Sequence, residues 1–592
     1  MAMRFTALRE FVDYLEKNGE LHRVKVEVDP VLEVTGIATR ALREGKPALF
    51  FERVKGAKYP LVINTLASEH RIELALGEHP EKLGEELISF FEEAIPPSLT
   101  SLLKHRRVVR RMLSSRLNDI PIAISQEIVE KPDLSDLPIT KCWPGDGGKF
   151  ITLPQVFTYD PRSGKRNVGM YRMHVFDART TGMHWQIQKG GGFHYYHADK
   201  MNRPLELAVA LGTDPAFLLA TIAALPEGID EAMFAGFLRK KRTELALGRT
   251  VSISVPANAE FILEGVVHPA ERRKEGPFGD HFGHYSPASE FPVFHLSAIT
   301  HRKDPIYPST VVGIPPMEDK FLGDATQKIL GPLARLLHSE VRSLWAYYEA
   351  GFHNLLVVAI EERYQKEAMK AALGLMGTQQ LSLTKCLVTV SENVDPRDFR
   401  QVLHAIRENF DPHYDFIMLP KVPLDTLDFT SYKMNLGSKM ILDATRKGKQ
   451  RPKYSATKKV EYAIQHLPSH DRRIIEATLI EDTLLLVKVK NDGAAVVKKL
   501  LGSVMLDGIK LLAAVSEDVD IHSRESYIWG VFTRFDCERD VKFTQQKLVG
   551  ISPIYKGTLG IDATWKDGYP EPLVMDERIV KRVEERWDSY WK

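Results

Sequence analysis

The segment Glu275-Gly276-Pro277-Phe278-Gly279-Asp280-His281 lies in the β-rich middle of the chain and decides how the residues around it are interpreted. Glycine gives this turn backbone freedom and proline fixes one of its angles, so Glu275 and Asp280 can point into one cleft. Two carboxyl groups held close together resist double ionisation. We therefore expect one pKa to rise and that acid to carry a proton at neutral pH. Taken alone, the segment is also typical of an exposed acidic turn.

Short β-type runs separated by Gly and Pro turns surround this segment between positions 151 and about 309. The runs occupy residues 167–176, 183–188, 250–256, 259–267 and 293–300, and a helix-like block at 203–212 interrupts them. Many short strands with such turns are typical of a barrel or a sandwich. We predict one β-rich domain over residues 121–317.

Mixed helix and strand patterns flank the β-rich part on both sides. Residues 1–120 combine amphipathic helices with short apolar runs, which predicts a small α/β domain. A long helical run at about 318–349 leads into alternating segments, so one α/β domain is predicted for 318–450 and another for 451–592. The fold class that follows is a multidomain α/β (α+β) protein.

The last third of the chain contains an internal repeat with a period of 125 residues. The sequence SENVD at 391–395 recurs as SEDVD at 516–520, and each copy later reaches an Asp-Ala-Thr triplet, at 443–445 and 562–564. Two copies are too few for a solenoid, so a duplicated α/β unit is the simplest account. We expect the second copy to be structural or an oligomerisation unit.

Composition excludes several classes of protein. Lys+Arg 80 against Asp+Glu 78 gives a formal net charge of +2, so there is no net electrostatic case for nucleic acid. Three widely spaced cysteines exclude a disulfide framework and a zinc cluster, and they indicate a reducing cytosol. The N-terminus lacks the apolar core of a signal peptide, and the longest apolar stretch, 216–225, is too short to span a bilayer. We expect a soluble cytoplasmic protein, with peripheral membrane contact left open.

Three further segments of the β-rich part carry side chains suited to an anionic cofactor. The run from Asn167 to Arg172 offers an amide, a tight Gly turn and an arginine. Lys189 begins a Gly-rich turn whose backbone N–H groups can hold a phosphate. Glu231 starts a predicted helix, and together with Asn167 and a phosphate it would suit Mg²⁺ or Mn²⁺. Each segment alone also has an ordinary explanation, as a turn, a first-turn acid or an ion-paired arginine.

The order and spacing of these segments resemble one family, the UbiD family of prenylated-flavin-dependent (de)carboxylases. The resemblance runs from near the N-terminus to about residue 447. It is carried by CWP at 142–144 with IT at 151–152, NVGMYR at 167–172, Trp185, KGG at 189–191, PEGIDE at 226–231, PANAE at 256–260 with LEG at 263–265, EGPFGDH at 275–281, GSK at 437–439 and DAT at 443–445. The combination is specific although no single segment is. The longer tail, about 450–592, resembles members associated with menaquinone biosynthesis.

The resemblance implies a role for each matching residue. Asn167 and Glu231 match ligands of a divalent metal, Mn²⁺ or Mg²⁺, that anchors the cofactor phosphate, and K⁺ is a further ion that the family implies. Asp280 matches the proton donor, and Glu275 and Arg172 match the partners that complete its acid–base network as catalytic groups. The residues that match cofactor-contacting positions are Met170, Tyr171, Arg172, His184, Trp185, Gln186, Lys189 and Gly190.

One residue departs from the family pattern. Some relatives have a metal-binding histidine where this chain has Met183, and a thioether is a poor ligand for a hard cation. We therefore expect a metal shell that contains water or uses fewer protein ligands.

The resemblance also implies a fold, a cofactor and partners. The expected fold is a central split β-barrel of the flavin-reductase type, flanked by an N-terminal α/β region and a C-terminal α/β region that is duplicated. The expected cofactor is prenylated FMN, supplied by a flavin prenyltransferase. A homo-oligomer built through the C-terminal region is expected, and a prenylated substrate would bring the protein to a membrane surface.

Three functions stay open from the sequence. The first is non-oxidative decarboxylation of an aromatic (hydroxyarene) carboxylic acid in menaquinone or ubiquinone biosynthesis. In this reaction Arg172 would orient the carboxylate and Asp280 would deliver a proton to carbon. The second is the reverse reaction, carboxylation of an aromatic compound in anaerobic degradation. The third is a flavin-binding subunit without turnover, against which the intact acid–base network argues.

Overall fold

The structure is a computed structural model that describes residues 5–93, 98–186, 189–225, 228–431, 433, 435–446, 458–503 and 508–592. The chain divides into two compact units, Met1–Leu330 with Glu571–Lys592, and Gly331–Pro570. No helix in the described ranges combines the length and the apolar character that crossing a bilayer requires. The predicted boundary at 450/451 lies outside the described residues, and the four predicted domains stay predictions.

The first unit is built from strands and helices numbered here along the chain. Its strands are β1 (Leu21–Val24), β2 (Ala48–Phe51), β3 (Leu61–Ile63), β4 (Asn118–Asp119), β5 (Ile128–Glu130), β6 (Phe150–Ile151), β7 (Gln155–Tyr159), β8 (Arg166–Met170), β9 (Met173–His174), β10 (Thr180–Gly182), β11 (Leu205–Leu211), β12 (Glu244–Leu247), β13 (Ser254–Pro256), β14 (Phe261–Glu275), β15 (Phe278–Gly279), β16 (Tyr285–Ser286), β17 (Ser289–His301) and β18 (Tyr307–Ser309). Its helices are α1 (Leu8–Lys17), α2 (Glu33–Arg43), α3 (Glu69–Leu76), α4 (Pro80–Glu93), α5 (Leu99–Lys104), α6 (Arg106–Ser114), α7 (Gly190–Lys200), α8 (Pro215–Ile222), α9 (Glu231–Arg239), α10 (Glu318–Leu330) and α18 (Glu577–Tyr590).

A seven-stranded antiparallel sheet forms the centre of this unit. Its order is β10-β17-β14-β11-β7-β8, and β5 pairs with β17. The helix-like block predicted for 203–212 was wrong, because strand β11 covers Leu205–Leu211. All of its residues except Glu206 are buried, and a short continuous apolar run does not distinguish a buried strand from a buried helix. In the described residues the hydrogen-bonded path ends at β10 and β8 without closing, so the split β-barrel stays a prediction.

The longest pair of strands carries the acidic segment at its tip. Strands β14 and β17 pair from Phe261 with His301 to Glu275 with Ser289. The chain between them folds into a smaller hairpin, in which β15 pairs with β16. Glu275 therefore ends one long strand, and Asp280 lies in the turn of the hairpin that follows.

The N-terminal sheet is completed by a segment from much later in the chain. Its order is β1-β2-β3-β18, and β18 runs parallel to β3. The C-terminal helix α18 packs against α2, where a Cβ placed on Gly36 would lie 3.1 Å from Val583. This region is therefore assembled from residues at both ends of the chain.

The second unit consists of two sheets with helices around them. Its strands are β19 (Val341–Ala346), β20 (Leu355–Ile360), β21 (Cys386–Ser391), β22 (Phe416–Val422), β23 (Gly437–Ala444), β24 (Ile474–Ile480), β25 (Leu484–Val489), β26 (Leu511–Val515), β27 (Val541–Val549) and β28 (Ser552–Ala563). Its helices are α11 (Glu367–Leu375), α12 (Phe399–Asn409), α13 (Pro412–Asp415), α14 (Lys458–Gln465), α15 (Leu467–His470), α16 (Gly493–Leu501) and α17 (Arg524–Phe532).

The prediction of one long helix over about 318–349 was wrong. Helix α10 ends at Leu330, a short 3₁₀ segment covers Gly331–Leu336, and β19 begins at Val341. Gly331 and Pro332 account for the break, because proline disfavours helix in the residue before it and glycine weakens a helix interior.

The sequence repeat corresponds to a repeat of one sheet topology. The orders are β19-β20-β21-β23-β22 and β24-β25-β26-β28-β27, and both sheets have the same sequence of parallel and antiparallel pairs. The repeated motifs also make the same bonds. Ser391 Oγ accepts the N–H of Arg446 at 2.8 Å, and Ser516 Oγ accepts the N–H of Trp565 at 2.7 Å.

The two copies contact each other reciprocally. Lys385 Nζ donates to the carbonyl of Phe535 at 3.0 Å, and Lys510 Nζ donates to the carbonyl of Phe410 at 3.0 Å. Each lysine and each phenylalanine is 125 residues from its counterpart. This exchange of equivalent contacts is the pattern of a two-fold symmetric interface, here formed within one chain.

Candidate active site

Arg172 lies between the two acids that the sequence singled out. Its Nε atom is 3.1 Å from Oε1 of Glu275, its Nη1 atom contacts Oδ2 of Asp280, and its Nη2 atom donates to Oγ of Ser286 at 2.9 Å. The guanidinium group also lies 4.7 Å above the ring of Phe278. Glu275 is 1% exposed and Asp280 is 7% exposed, so this ion-pair network is buried.

The expectation that one of the two acids holds a proton was wrong for this arrangement. Burial acts to raise the pKa of Glu275, but the Arg172 and His184 side chains outweigh it and hold the pKa at about 2. Burial likewise opposes ionisation of Asp280, and Arg172 with His281 brings its pKa well below the usual range. The cation between the two carboxylates removes the repulsion on which the prediction depended.

His184 extends the network by one residue. Its Nδ1 atom lies 2.7 Å from Oε2 of Glu275, and its ring lies 4.2 Å from that of Phe291. Burial and the nearby Arg172 lower the pKa of His184, which favours the neutral imidazole. The buried chain of contacts therefore runs from Asp280 through Arg172 and Glu275 to His184.

Several predicted cofactor residues meet at the start of helix α7. Lys189 is the residue before the helix, and the backbone N–H of Gly191 donates to the hydroxyl of Tyr171 at 3.1 Å. Asn167 Nδ2 lies 3.4 Å from the same hydroxyl. A Cβ on Gly190 would lie 2.0 Å from Asn167 Oδ1, so glycine is required for this close approach. The first N–H groups of a helix have no intrahelical acceptor, so a helix start is a natural site for a phosphate.

The indole of Trp185 lies beside the first turn of α7. It stacks on Tyr195 with the ring centroids 4.9 Å apart. Its Nε1 atom is buried and has no hydrogen-bond partner within the described part of the chain. A buried donor without an acceptor is costly, so this atom suits a ligand that supplies one.

The two predicted metal ligands are brought together by a backbone contact. Glu231 begins helix α9, and its Oε2 atom accepts the N–H of Val168, the neighbour of Asn167, at 2.9 Å. Burial raises the pKa of Glu231 to about 7, so its ionised form is disfavoured without a compensating positive charge. The described residues contain no group of three or more His, Cys, Asp or Glu suited to a metal. Met183 is fully buried among apolar residues.

The remaining predicted residues lie at the margins of this region. Met170 ends strand β8, where it pairs with Gln155, and Gln186 is half-buried. Residues 187–188 of the predicted run 183–188, and residues 226–227 of the matching segment PEGIDE, lie outside the described residues.

Asp146 is a site residue that the sequence interpretation missed. It is buried, its Oδ2 atom accepts the N–H groups of Cys142 and Trp143, and its Oδ1 atom accepts the N–H of Gly279 at 2.8 Å. Burial raises the pKa of Asp146 to about 6 despite these donors. Its position between glycines marks a turn, but nothing local in the sequence indicates its partner 133 residues away.

Ser286 and His281 were also left without a role. Ser286 donates to the carbonyl of Phe278 at 3.2 Å as well as accepting from Arg172. The Nδ1 atom of His281 lies 2.8 Å from Oδ1 of Asp280. His281 follows the acid directly in the sequence, which is the one signal that could have drawn attention to it.

Family models cover most of the chain. The 3-octaprenyl-4-hydroxybenzoate carboxy-lyase (UbiD) N-terminal domain matches residues 12–91, its Rift-related domain matches 117–315, and its C-terminal domain matches 320–444 and 469–563. The two C-terminal ranges contain the two five-stranded sheets of the second unit.

Individual relatives are similar over long stretches. A 4-hydroxybenzoate decarboxylase subunit from Chlamydia pneumoniae is 34% identical over 593 residues, which is 99% of this chain and 98% of that protein. The vanillic acid decarboxylase of Sedimentibacter hydroxybenzoicus in its closed form has a TM-score of 0.68 and 27% identity, covering 79% of this chain and 99% of its own. An evolved dimeric form of the UbiD-class enzyme HmfF from Pelotomaculum thermopropionicum, in complex with prFMN, has a TM-score of 0.62 and 27% identity, covering 78% and 98%.

The matches cover almost the whole length of these two solved structures but leave about a fifth of this chain uncovered. The chain is therefore longer than they are. Models for all three family domains match it, and one relative is similar along its whole length. The chain therefore belongs to the UbiD family of (de)carboxylases, as a longer member.

Proposed function

We propose that this protein removes CO₂ from an aromatic carboxylic acid without oxidation, using prenylated FMN. The observation that carries the proposal is the buried Arg172, which contacts both Glu275 and Asp280. A guanidinium group is suited to hold a carboxylate, and the acid beside it is suited to supply a proton to carbon. A flavin-binding subunit without turnover would have no need of this buried network.

The residues around α7 fit the proposed cofactor. Lys189 with the N–H groups at the helix start would hold its phosphate. Trp185 would contribute its ring face and its indole N–H, which has no partner among the described residues. Asn167 and Glu231 offer the hard oxygen ligands that Mn²⁺ or Mg²⁺ prefers. When bound, prenylated FMN supplies the electron sink for the charge left on the ring carbon as CO₂ leaves.

Substrate binding would convert Asp280 from a base into an acid. Asp280 is ionised because Arg172 and His281 hold its pKa down. A substrate carboxylate on Arg172 would compete for that guanidinium and would place a second negative charge beside Asp280. Both effects raise the pKa of a carboxyl group. We expect Asp280 to take up a proton as substrate binds and to deliver it to the ring carbon, while Glu275 stays ionised and keeps Arg172 in position.

We propose a hydroxyarene carboxylate as the substrate. Two of the three relatives named above are decarboxylases of 4-hydroxybenzoate and vanillic acid, both hydroxylated aromatic acids. Placement in menaquinone or ubiquinone biosynthesis is part of the proposal and rests on the longer C-terminal tail. A prenylated substrate would add contact with a membrane surface.

Other parts of the proposal follow from the family. They are a split β-barrel of the flavin-reductase type around the central sheet, K⁺ as a second ion, a flavin prenyltransferase as the source of the cofactor, and a homo-oligomer. The four-domain division at residues 120, 317 and 450 belongs here as well.

The test begins with cofactor loading. The protein is co-expressed with a flavin prenyltransferase, purified anaerobically with Mn²⁺, and examined by absorption and by mass spectrometry of released small molecules. We expect bound prenylated FMN, followed by conversion of 4-hydroxybenzoate or a related acid to the phenol with release of CO₂. A protein that loads the cofactor but converts no acid in a panel of hydroxyarenes would contradict the proposal. Incorporation of ¹³C-bicarbonate into a phenol would measure the reverse reaction.

A further inference from the structure

A short segment near the C-terminus pairs with the hairpin that carries Asp280. The N–H of Tyr285 donates to the carbonyl of Glu571 at 3.3 Å, and the N–H of Leu573 donates to the carbonyl of Gly283 at 2.9 Å. Pro572 forms an antiparallel bridge with His284 between these two bonds. We call residues 571–573 the C-terminal strap.

The strap also packs into the interior beside the acid. Leu573 is 3% exposed and belongs to the same core cluster as Trp143. A Cβ placed on Gly279 would lie 2.9 Å from Leu573 Cδ2 and 2.3 Å from Trp143 Cδ1. The residue before Asp280 is thus enclosed on two sides, and Asp146 holds its N–H as well.

Helix α18, which follows the strap, is fixed to the N-terminal region. The hydroxyl of Tyr590 donates to Oε1 of the fully buried Glu33 at 2.7 Å, and Arg582 lies 3.1 Å from the other oxygen of that carboxylate. Arg586 makes a further contact with Glu33. A buried carboxylate with these partners is costly to expose, so the helix anchors the strap.

We propose that the C-terminal strap positions Asp280 for proton delivery and that Leu573 is a positioning residue for the reaction. A two-stranded hairpin alone is marginally stable, and β15 and β16 contain only two residues each. The backbone bonds of the strap and the Leu573 side chain supply the missing constraint on the backbone from Gly279 to Ser286. Because the role of Asp280 belongs to the proposed function, this inference rests on that function.

Two neighbouring residues make a matched pair for the test. Leu573 is 3% exposed, whereas Val574, the next residue, is 69% exposed. We would compare Leu573→Ala with Val574→Ala in the full-length, cofactor-loaded protein. The readouts are amide hydrogen exchange of residues 278–286, kcat and KM for the aromatic acid, and the pH profile of kcat.

We expect Leu573→Ala to exchange faster in residues 278–286 and to lose at least about tenfold in kcat, with KM changed little, because small displacements of a reacting group are costly. We also expect the pH profile of kcat to shift, since Asp280 would lie differently against Arg172. Leu573→Met should restore exchange and rate, and Val574→Ala should match the wild type. If Leu573→Ala does not fold, Leu573→Val is measured in the same way.

Unchanged exchange and rate in Leu573→Ala, or in Leu573→Val where that variant replaces it, would overturn the proposal. Equal effects of Leu573→Ala and Val574→Ala would also overturn it. Hydrogen exchange can be measured without turnover. If the wild type converts no aromatic acid, that result contradicts the proposed function. The exchange data still decide whether the strap holds the hairpin.

Discussion

The Nδ1 atom of His184 lies 2.7 Å from Oε2 of Glu275, while Oε1 of the same carboxylate meets Nε of Arg172 at 3.1 Å. Both oxygens of a fully buried carboxylate are thereby used, one by a cation and one by an imidazole. Glu275 is fixed as an anion, so the orientation of Arg172 is set before any substrate arrives.

Replacement of Arg172 by lysine should remove this orientation. Lysine keeps the charge but offers one nitrogen where the guanidinium uses three, toward Glu275, Asp280 and Ser286. We expect kcat/KM to fall roughly a hundredfold, corresponding to about 3 kcal/mol. Steady-state decarboxylation kinetics measure this, with the exposed Arg179→Lys as control. Activity near that of the control would show that Arg172 is not the carboxylate anchor.

Asp280→Asn should separate cofactor binding from turnover. The amide has nearly the shape of the acid but cannot release a proton, so we expect kcat to fall about 10²-fold to 10⁴-fold while the bound cofactor is retained. Rate and absorption spectrum are measured on the same preparation, beside the exposed Glu290→Gln. A fully active variant would refute the assignment of Asp280 as proton donor.

Glu231→Ala should lose metal and flavin together. Glu231 would supply the only carboxylate among the proposed ligands, and the metal would in turn hold the cofactor phosphate. Elemental analysis and released flavin are compared with those of the exposed Glu584→Ala. Retention of a full complement of flavin without metal would argue against the shared site.

The stability contribution of Glu275 should depend on pH with a defined sign. Its pKa is lowered from 4.5 to about 2, so its stabilising contribution is complete above about pH 4.5 and is lost as the pH falls through 2. We expect the difference in unfolding free energy between the wild type and Glu275→Gln to shrink by on the order of 3 kcal/mol across that range. Denaturation at a series of pH values measures it, and a constant difference would contradict the prediction.

The two reciprocal lysines should differ in their effect on stability. Lys385 is fully buried and lies 2.8 Å from the equally buried Asp428, so Lys385→Met leaves an uncompensated charge and should cost about 3 kcal/mol or more. Lys510 is only half-buried, and Lys510→Met should cost about 1 kcal/mol. Calorimetry of the full chain compares them, and equal costs would show that the pairing with Asp428 adds nothing.

The sequence predicted those parts of the site whose residues are close together in the chain. Glu275 and Asp280 flank one turn, so their grouping could be read from the local pattern. The tight Gly turn expected after Asn167 was wrong, because Asn167 and Gly169 both lie inside strand β8. The resemblance then indicated which groups belong together.

Contacts between distant segments were not predictable from local patterns. Asp146 reaches Gly279, and Leu573 reaches Gly283, across 133 and 290 residues. The lowering of the pKa of both Glu275 and Asp280 was missed for the same reason. This lowering depends on where Arg172 lies, and the spacing of the two carboxylates in the sequence does not contain that information.

Lys385 contacts Phe535, and Lys510 contacts Phe410, within a single chain. The two copies of the repeat therefore stay paired at any protein concentration. Two separate proteins meet at a frequency set by their concentration, whereas halves joined by a linker experience an effective concentration on the order of millimolar. Such halves are also encoded separately, so a substitution in one is not imposed on the other. The strand registers make Lys439 of the first copy equivalent to Thr558 of the second, a difference that a pair of identical chains could not maintain.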